Sequence, residues 1–387
     1  MKPDILSDAA LLALLQELIS IPSVNPTLAP DEPDGEAALA EFARDWLTTH
    51  GVDARLEEVA PGRPNVVARV GRGDGPDLVL CAHLDTVSAA GMSIAPFKPR
   101  VEGRRIYGRG SYDMKGGAAA AMAAAATLHD AELPGCVTLA LVVDEEYSSI
   151  GADHFVAHHE ADACIVTEPT EGRLILTHKG FVWSELVTHG QAAHGSRWDL
   201  GVSAIGKMGR IIAELERFEE EDLRPQTHPE LGPASLHCAT IEGGSGISTY
   251  ASECRMKVER RTLPGETLDQ VERELQSAVD AAGETAEIDC FFQRAPLVCG
   301  SDEPIARCLR EAHKKIAGAR PEETGVAYWT DAAVFDAAGI PALLYGPAGE
   351  GAHGDIEWVD LDSVASCANV LVEAALGFTG AAPLPDC

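Results

Sequence analysis

Basic charge is scarce in this sequence relative to acidic charge. Its 387 residues carry 30 Lys and Arg against 61 Asp and Glu, a formal net charge of −31 at pH 7. Nucleic acid demands a basic surface to meet its phosphates, so that class of partner is excluded. The excess of acid implies high solubility or adaptation to salt before it implies steering of cationic substrates, because net charge says little about any one site. No apolar run reaches the roughly 18 residues a membrane span requires, so no membrane segment is expected. The N-terminal Met1-Lys2-Pro3-Asp4 has an early acid and no apolar core leading to a small-residue cleavage site, so it does not read as a signal peptide. The ten cysteines include no C-x-x-C pair, which in a chain this long leaves neither a disulfide framework nor a zinc knuckle. Reduced, mostly buried thiols in a cytoplasmic protein are the expectation, with Cys81 and Cys164 inside apolar runs.

Helical and strand-like patterns alternate along the chain. Leu11, Leu12, Leu14, Leu15, Leu18 and Ile19 have helical spacing, with Ser7 as a candidate N-cap. Leu78–Ala82 leads into His83 and Asp85. Val137–Val143 leads into Asp144, Glu145 and Glu146. Ala163–Val166 leads into Glu168, and Pro341–Tyr345 leads through a glycine-rich loop to His353. Short continuous apolar runs flanked by Gly or Pro read as strands buried on both faces, and the Ala-rich Gly117–Leu128 reads as a helix between two of them. This predicts an α/β fold with a mainly parallel sheet, whose ligand site lies beyond the carboxyl ends of the strands. The middle of the chain differs. Val182–Val187, Ala234–Ile241, Cys254–Arg260 and Ala286–Phe292 read as strands; Val202–Phe218 and Thr267–Ala281 read as helices. The order βαββαβ is that of a ferredoxin-like unit, placed at residues 179–290 as an insertion between 1–178 and 291–387. The only biased segments are the loop Asn25–Gly35 and the tail after Gly380.

The residues closing the apolar runs are metal-capable. Two His, one Asp and two Glu make a mixed nitrogen and oxygen donor set that suits zinc, and neighbouring zinc ions commonly share a carboxylate. Asp85, two residues after His83, suits a carboxylate that orients a ligating imidazole. Asp113 lies between glycines in Gly108-Arg109-Gly110-Ser111-Tyr112-Asp113-Met114-Lys115-Gly116-Gly117, where the backbone can bend tightly around a buried anion. Glu145 and Glu146 diverge at a strand end, so one can bind metal while its neighbour takes a proton from the attacking water. An isolated H-x-D is usually structural, and an adjacent Glu pair is usually a solvated turn. Solvated turns do not explain ligands at the ends of four separate strands. Lys115 reads either as a site group or as a structural ion pair. Ser111 and Ser196 lack a G-x-S-x-G elbow, which excludes a serine hydrolase of that type.

The motifs His83-Leu84-Asp85-Thr86-Val87, Gly108 through Gly117, Asp144-Glu145-Glu146, Thr167-Glu168-Pro169 and Ala352-His353 through Glu357 occur in order along nearly the whole chain. Together they resemble the co-catalytic dizinc peptidase and deacylase family, which includes acetylornithine deacetylase, succinyl-diaminopimelate desuccinylase, aminoacylases and glutamate carboxypeptidases. The resemblance implies two zinc ions, replaceable by cobalt or manganese. His83 and Glu168 would hold one, Glu146 and His353 the other, and Asp113 would bridge them. It makes Asp85 the support of His83 and Glu145 the general base. It makes the βαββαβ unit a lid that closes over substrate and mediates a homodimer. Gly190-Gln191-Ala192-Ala193-His194-Gly195-Ser196 resembles the lid motif whose His stabilises the oxyanion in the neighbouring subunit. Arg261, better aligned than Arg260, would hold the substrate carboxylate, and Ser248 stands near the place where the family often has Asn. Tyr328-Trp329-Thr330-Asp331 reads equally as pocket lining or as aromatic packing under a loop. The activity implied is amide cleavage in a small N-acyl amino acid, with a carboxypeptidase, dipeptidase or desuccinylase as the second reading. A non-catalytic metal-binding relative is the third; such a protein would be expected to lose a ligand or the base, and none is lost here.

Overall fold

The computed structural model describes residues 4–32 and 35–380. Met1–Pro3 and the tail after Gly380 lie outside them. The chain divides into two compact units: Met1–Leu176 with Cys299–Thr324 and Thr330–Cys387, and Thr177–Val298 with Gly325–Trp329.

The first unit is built on a large sheet. Its four central strands, Cys136–Val142, Asp77–His83, Ala163–Val166 and Ala342–Leu344, lie side by side in that order and run parallel. Every residue of Cys136–Val142 is buried, and so is every residue of Asp77–His83 after Asp77, which explains the unbroken apolar runs. Arg63–Gly71 and Ala54–Ala60 extend the sheet antiparallel on one side, and on the other Ile175 pairs antiparallel with Leu344. The mainly parallel sheet expected from the sequence thus has a parallel centre, with antiparallel strands at its flanks. Pro61 and Gly62 alone join Ala54–Ala60 to Arg63–Gly71, and so short a connection makes those two strands a hairpin.

Helix Gly116–Leu128 has twelve of its 13 residues buried. Alanine favours the helix and keeps its surface shallow, so it packs against the strands on one side and helix Leu361–Thr379 on another. Leu361–Thr379 is the one helix among the described residues long and apolar enough to cross a bilayer. Eleven of its 19 residues are buried, against Gly116–Leu128 and Pro304–Ala317. Helix Asp8–Ser20 starts after Ser7 as expected, but the Ser7 hydroxyl donates back to Asp4 O and does not cap the helix.

The second unit is a four-stranded antiparallel sheet in the order Ser235–Gly243, Glu253–Thr262, Gly180–His189, Glu287–Arg294. Helices Ala204–Phe218 and Leu268–Ala281 complete the βαββαβ order. Ser203 and Thr267 cap them by accepting from Gly206 N and Gln270 N. Cys254, Met256 and Val258 face the core with Leu186, Ile211 and Leu275, while Arg255 and Lys257 point out. Arg260 shares the buried face, and its guanidinium is paired with Glu266 and Glu274. This unit runs past the expected 179–290, because strand Glu287–Arg294 continues beyond that limit and Gly325–Trp329 joins it. In that segment Trp329 packs edge-on against Phe181 and His178 and donates to Ala295 O, whereas Tyr328 is exposed.

Candidate metal centre

Parallel strands carry their carboxyl ends to one edge of the sheet, and that edge collects the acidic residues and His. His83 closes Asp77–His83, Glu145 and Glu146 follow Cys136–Val142, and Glu168 follows Ala163–Val166. His353 reaches the same place from the loop after Ala342–Leu344, at φ 60°. Asp113 arrives from the turn before helix Gly116–Leu128, with a cis peptide to Met114. That helix starts close to the strand end: a Cβ at Gly117 would meet Thr167 O at 2.0 Å. Only glycine permits this approach, which sets Asp113 beside Glu168.

Two donor groups result. His83, Asp113 and Glu168 form one; Asp113, Glu146 and His353 form the other. Asp113 belongs to both: Oδ1 lies 3.1 Å from His83 Nε2 and Oδ2 3.3 Å from His353 Nε2. His353 Nε2 is 2.9 Å from Glu146 Oε2, and His83 Nε2 is 3.8 Å from Glu168 Oε1. Glu145 is not in either group, yet its Oε2 stands 3.9 Å from His83 Nε2.

The electrostatics call for cations. Burial, then the charges of Glu168 and Asp331, push the Glu145 carboxyl well above its usual range. Burial, then Asp113 and Asp331, do the same to Glu168. Hydrogen bonds to Asp113 and Glu146 raise His353 to about 10. Burial alone would lower His83, but Asp113, Glu168 and Glu145 hold it well above its ordinary value. Glu146 Oε1 and Glu168 Oε1 are buried without a hydrogen-bond partner. Such orphaned carboxylate oxygens are costly unless a cation meets them, and one imidazole with two carboxylates per group is a zinc-like donor set. The residues therefore fit two divalent ions sharing Asp113.

The surrounding polar residues hold this arrangement in place. His83 Nδ1 meets the backbone carbonyl of Asp85 at 2.9 Å, whereas the Asp85 carboxylate is 3.6 Å away. That carboxylate accepts instead from Glu145 N and Glu146 N at 3.1 Å each and from Asn25 Nδ2 at 2.7 Å. Asp85 thus supports the His by its main chain and the Glu pair by its side chain. Glu357, fully buried, accepts from Arg109, Gly110, Tyr112 and Asp113. Lys115 takes neither of its expected roles: Nζ donates to Leu18 O and Ile21 O, and burial lowers it to about 7. Asn25, Glu36 and Arg63 were not singled out by the sequence. Arg63 pairs with both Glu36 and Asp144, and Asn25 bonds Asp85 and Asp144.

A family model described as peptidase family M20/M25/M40 matches residues 79–377. The chain belongs to this family. It is a metal-dependent amidohydrolase of the deacylase and peptidase class. An acetylornithine deacetylase of Vibrio cholerae is 28% identical over 375 residues, covering 94% of this chain and 97% of that one. A tripeptidase from Staphylococcus aureus superposes with TM-score 0.79 at 21% identity, covering 97% of this chain and 99% of its own. A dinuclear metal-binding M20 peptidase from Bacillus subtilis superposes with TM-score 0.70 at 18% identity, covering 95% and 97%. M20 enzymes are metal-dependent and usually dinuclear, in keeping with the paired donor groups.

The remaining expected site residues of this M20 chain lie in the second unit. His194 and Ser248 are brought together there: His194 pairs with Thr249, and Gly195 N donates to Ser248 O at 2.7 Å. His194 is exposed, its Nδ1 2.8 Å from the Ser196 hydroxyl. Arg261 is ion-paired to Glu259 and lies 5.3 Å over the Phe181 ring, with a third of its side chain exposed, unlike buried Arg260.

Proposed function

We propose that this M20 chain removes the acyl group from a small N-acyl amino acid, as an acetylornithine deacetylase-like deacylase. The observation that carries this reading is the pair of donor groups sharing Asp113, with Glu145 beside them and in neither. The donor set would suit two zinc ions, with cobalt or manganese as substitutes. When bound, such ions polarise a carbonyl and make water acidic enough to deprotonate near neutral pH. His83 and Glu168 would hold one ion and Glu146 and His353 the other, with Asp113 available to both.

Glu145 takes the proton from the attacking water and passes it to the leaving amine. Its position supports this role: it stands 3.9 Å from His83, beside both donor groups and in neither. Asp85 aims Glu145 and Glu146 through their backbone N–H groups. Arg261 holds the substrate carboxylate in its planar fork, and Ser248 hydrogen-bonds the substrate nearby. His194 stabilises the oxyanion from a second copy, with the second unit acting as a lid that excludes water. The homodimer is supported by the edge strand Ser235–Gly243 and by exposed apolar side chains: Trp198 is 80% and Ile247 106% exposed. The free cysteines support a cytoplasmic setting. The acidic surface favours a cationic substrate such as an acylated ornithine.

The peptidase reading is favoured by the likeness to a tripeptidase, and desuccinylation stays within the same chemistry. A panel of N-acetyl amino acids, N-succinyl amino acids and dipeptides, run with added zinc or cobalt, tests the proposal. Fastest turnover on an N-acetyl amino acid is expected. Faster turnover of dipeptides or N-succinyl substrates would replace the deacetylase reading with the corresponding one. No turnover by fully loaded protein would favour a non-catalytic metal-binding protein.

A further inference from the structure

Asn25 is completely buried, in the turn Ser23-Val24-Asn25-Pro26 that precedes the first unit's sheet. Its backbone is fixed from both sides. Asn25 N donates to Thr86 O at 2.9 Å, and Thr86 N donates to Ser23 O at 3.0 Å. A residue before proline favours extended backbone, which suits this pairing. The side chain is fixed as well: Oδ1 accepts from Thr27 N at 2.9 Å, so the amide NH2 must face the other way. There it meets two carboxylates that are each 1% exposed. Nδ2 is 2.7 Å from Asp85 Oδ2 and 3.0 Å from Asp144 Oδ1. An amide nitrogen has two protons, so it can satisfy both acceptors at once.

Both aspartates shape the Glu145–Glu146 turn, Asp85 by its side chain and Asp144 by its main chain. Asp85 accepts the N–H groups of Glu145 and Glu146. Asp144 opens that turn at φ 70°, and its carbonyl accepts from Ser148 N and Ser149 N. Behind it, Arg63 Nη2 lies 2.7 Å from Asp144 Oδ1 and pairs with Glu36. Two buried anions this close repel each other, and the Asn25 amide joins them.

We propose that Asn25 is a positioning residue: by tying Asp85 to Asp144 it sets where the proposed base Glu145 and ligand Glu146 stand. It touches neither substrate nor metal. The inference rests on the roles given to Glu145 and Glu146 above. Asn25→Asp keeps the shape and replaces the donor with an acceptor, setting a third carboxylate against the other two. Asn25→Ala removes the bridge without adding charge.

The test measures metal dissociation constants by chelator competition, and kcat and KM of the metal-saturated holoenzyme on its best substrate. Thermal melts report folding, and Glu145→Ala is run alongside. In Asn25→Asp we expect metal binding weakened by roughly 10–100-fold and kcat lowered by a similar factor, with KM within about threefold of wild type. Asn25→Ala is expected to show the same pattern, less severely, and carries the test if Asn25→Asp does not fold. A lower melting temperature with metal binding and kcat both within about twofold of wild type, in either variant that folds, would show a merely structural role and overturn the inference. Retained kcat in Glu145→Ala would instead overturn the general-base reading, while the metal-binding comparison would still decide Asn25.

Discussion

Glu357 holds Asp113 by its backbone: Glu357 Oε1 accepts the Asp113 N–H at 3.0 Å, across 244 residues of chain. The same carboxylate takes Tyr112 N at 2.9 Å, Gly110 N at 2.9 Å and Arg109 Nη1 at 2.8 Å. One buried side chain therefore shapes the loop that presents Asp113. Glu357→Ala would leave the 3%-exposed Arg109 without its carboxylate, a loss that costs about 3–5 kcal/mol for a buried pair. Urea unfolding should show that loss, and metal affinity should fall with it. Glu357→Gln keeps the volume but points an N–H donor at two other donors, so it should fall between the two. Wild-type stability in Glu357→Ala would mean that the loop holds itself.

Glu145 and Glu146 make a second, sharper contrast. Glu146 lies in a donor group with Asp113 and His353; Glu145 does not. Glu145→Ala should keep its metal content, read by elemental analysis, while kcat falls by roughly 10²–10⁴-fold. Glu146→Ala should lose metal as well as activity. Near-normal kcat in Glu145→Ala, on a substrate the wild type turns over well, would remove it from the role of base.

Much of this candidate centre was legible because its proposed ligands close apolar strands. His83, Glu146 and Glu168 end runs that are buried on both faces, and burial on both faces is what an unbroken apolar run records. Asp113 showed through the glycines around it, one of which abuts Thr167 O. The network behind the ligands was not legible. Asn25 lies 60 residues from Asp85 and 119 from Asp144, in a stretch that reads only as a biased loop. Which buried polar groups pair is decided by tertiary juxtaposition, and no local pattern carries that information. Lys115 shows the same limit: its partners are the carbonyls of Leu18 and Ile21, at the end of a helix nearly a hundred residues earlier.

Arg260 and Arg261 are neighbours with opposite surroundings. Arg260 is locked to Glu266 and Glu274, whereas Arg261 keeps a third of its side chain exposed. If Arg261 binds the substrate carboxylate, Arg261→Ala should raise KM by roughly 10–100-fold, the worth of a charged hydrogen bond. Folding should be little changed, as a thermal melt would show. Arg261→Lys should recover only part of the loss, because the ammonium lacks the planar fork. In Arg260→Ala a lowered melting temperature is expected first. Unchanged KM in Arg261→Ala would assign carboxylate recognition to another residue.

The metal-free protein should carry a pH signature from His353, raised from 6.5 to about 10 by Asp113 and Glu146. A group whose folded pKa is raised stabilises the fold fully below its unfolded pKa and loses that stabilisation as pH rises through the folded value. The stability that His353 contributes to the metal-free protein should therefore decline from about pH 6.5 to about pH 10. More than half of this side chain is exposed, so screening by salt should flatten the decline. Asp113 works in the opposite direction at the acid end: burial would raise its carboxyl, but His353 and His83 hold it well below 3.8, so its contribution is lost only under acid conditions. A metal ligand must be a neutral imidazole, so loading the protein at pH 8 must displace the His353 proton. Calorimetric metal titrations in buffers of different ionisation enthalpy should show proton release at pH 8, and His353→Ala should reduce it. Metal-free melting temperatures flat from pH 6.5 to 10, with no proton released on loading, would mean that His353 is already neutral in the metal-free protein.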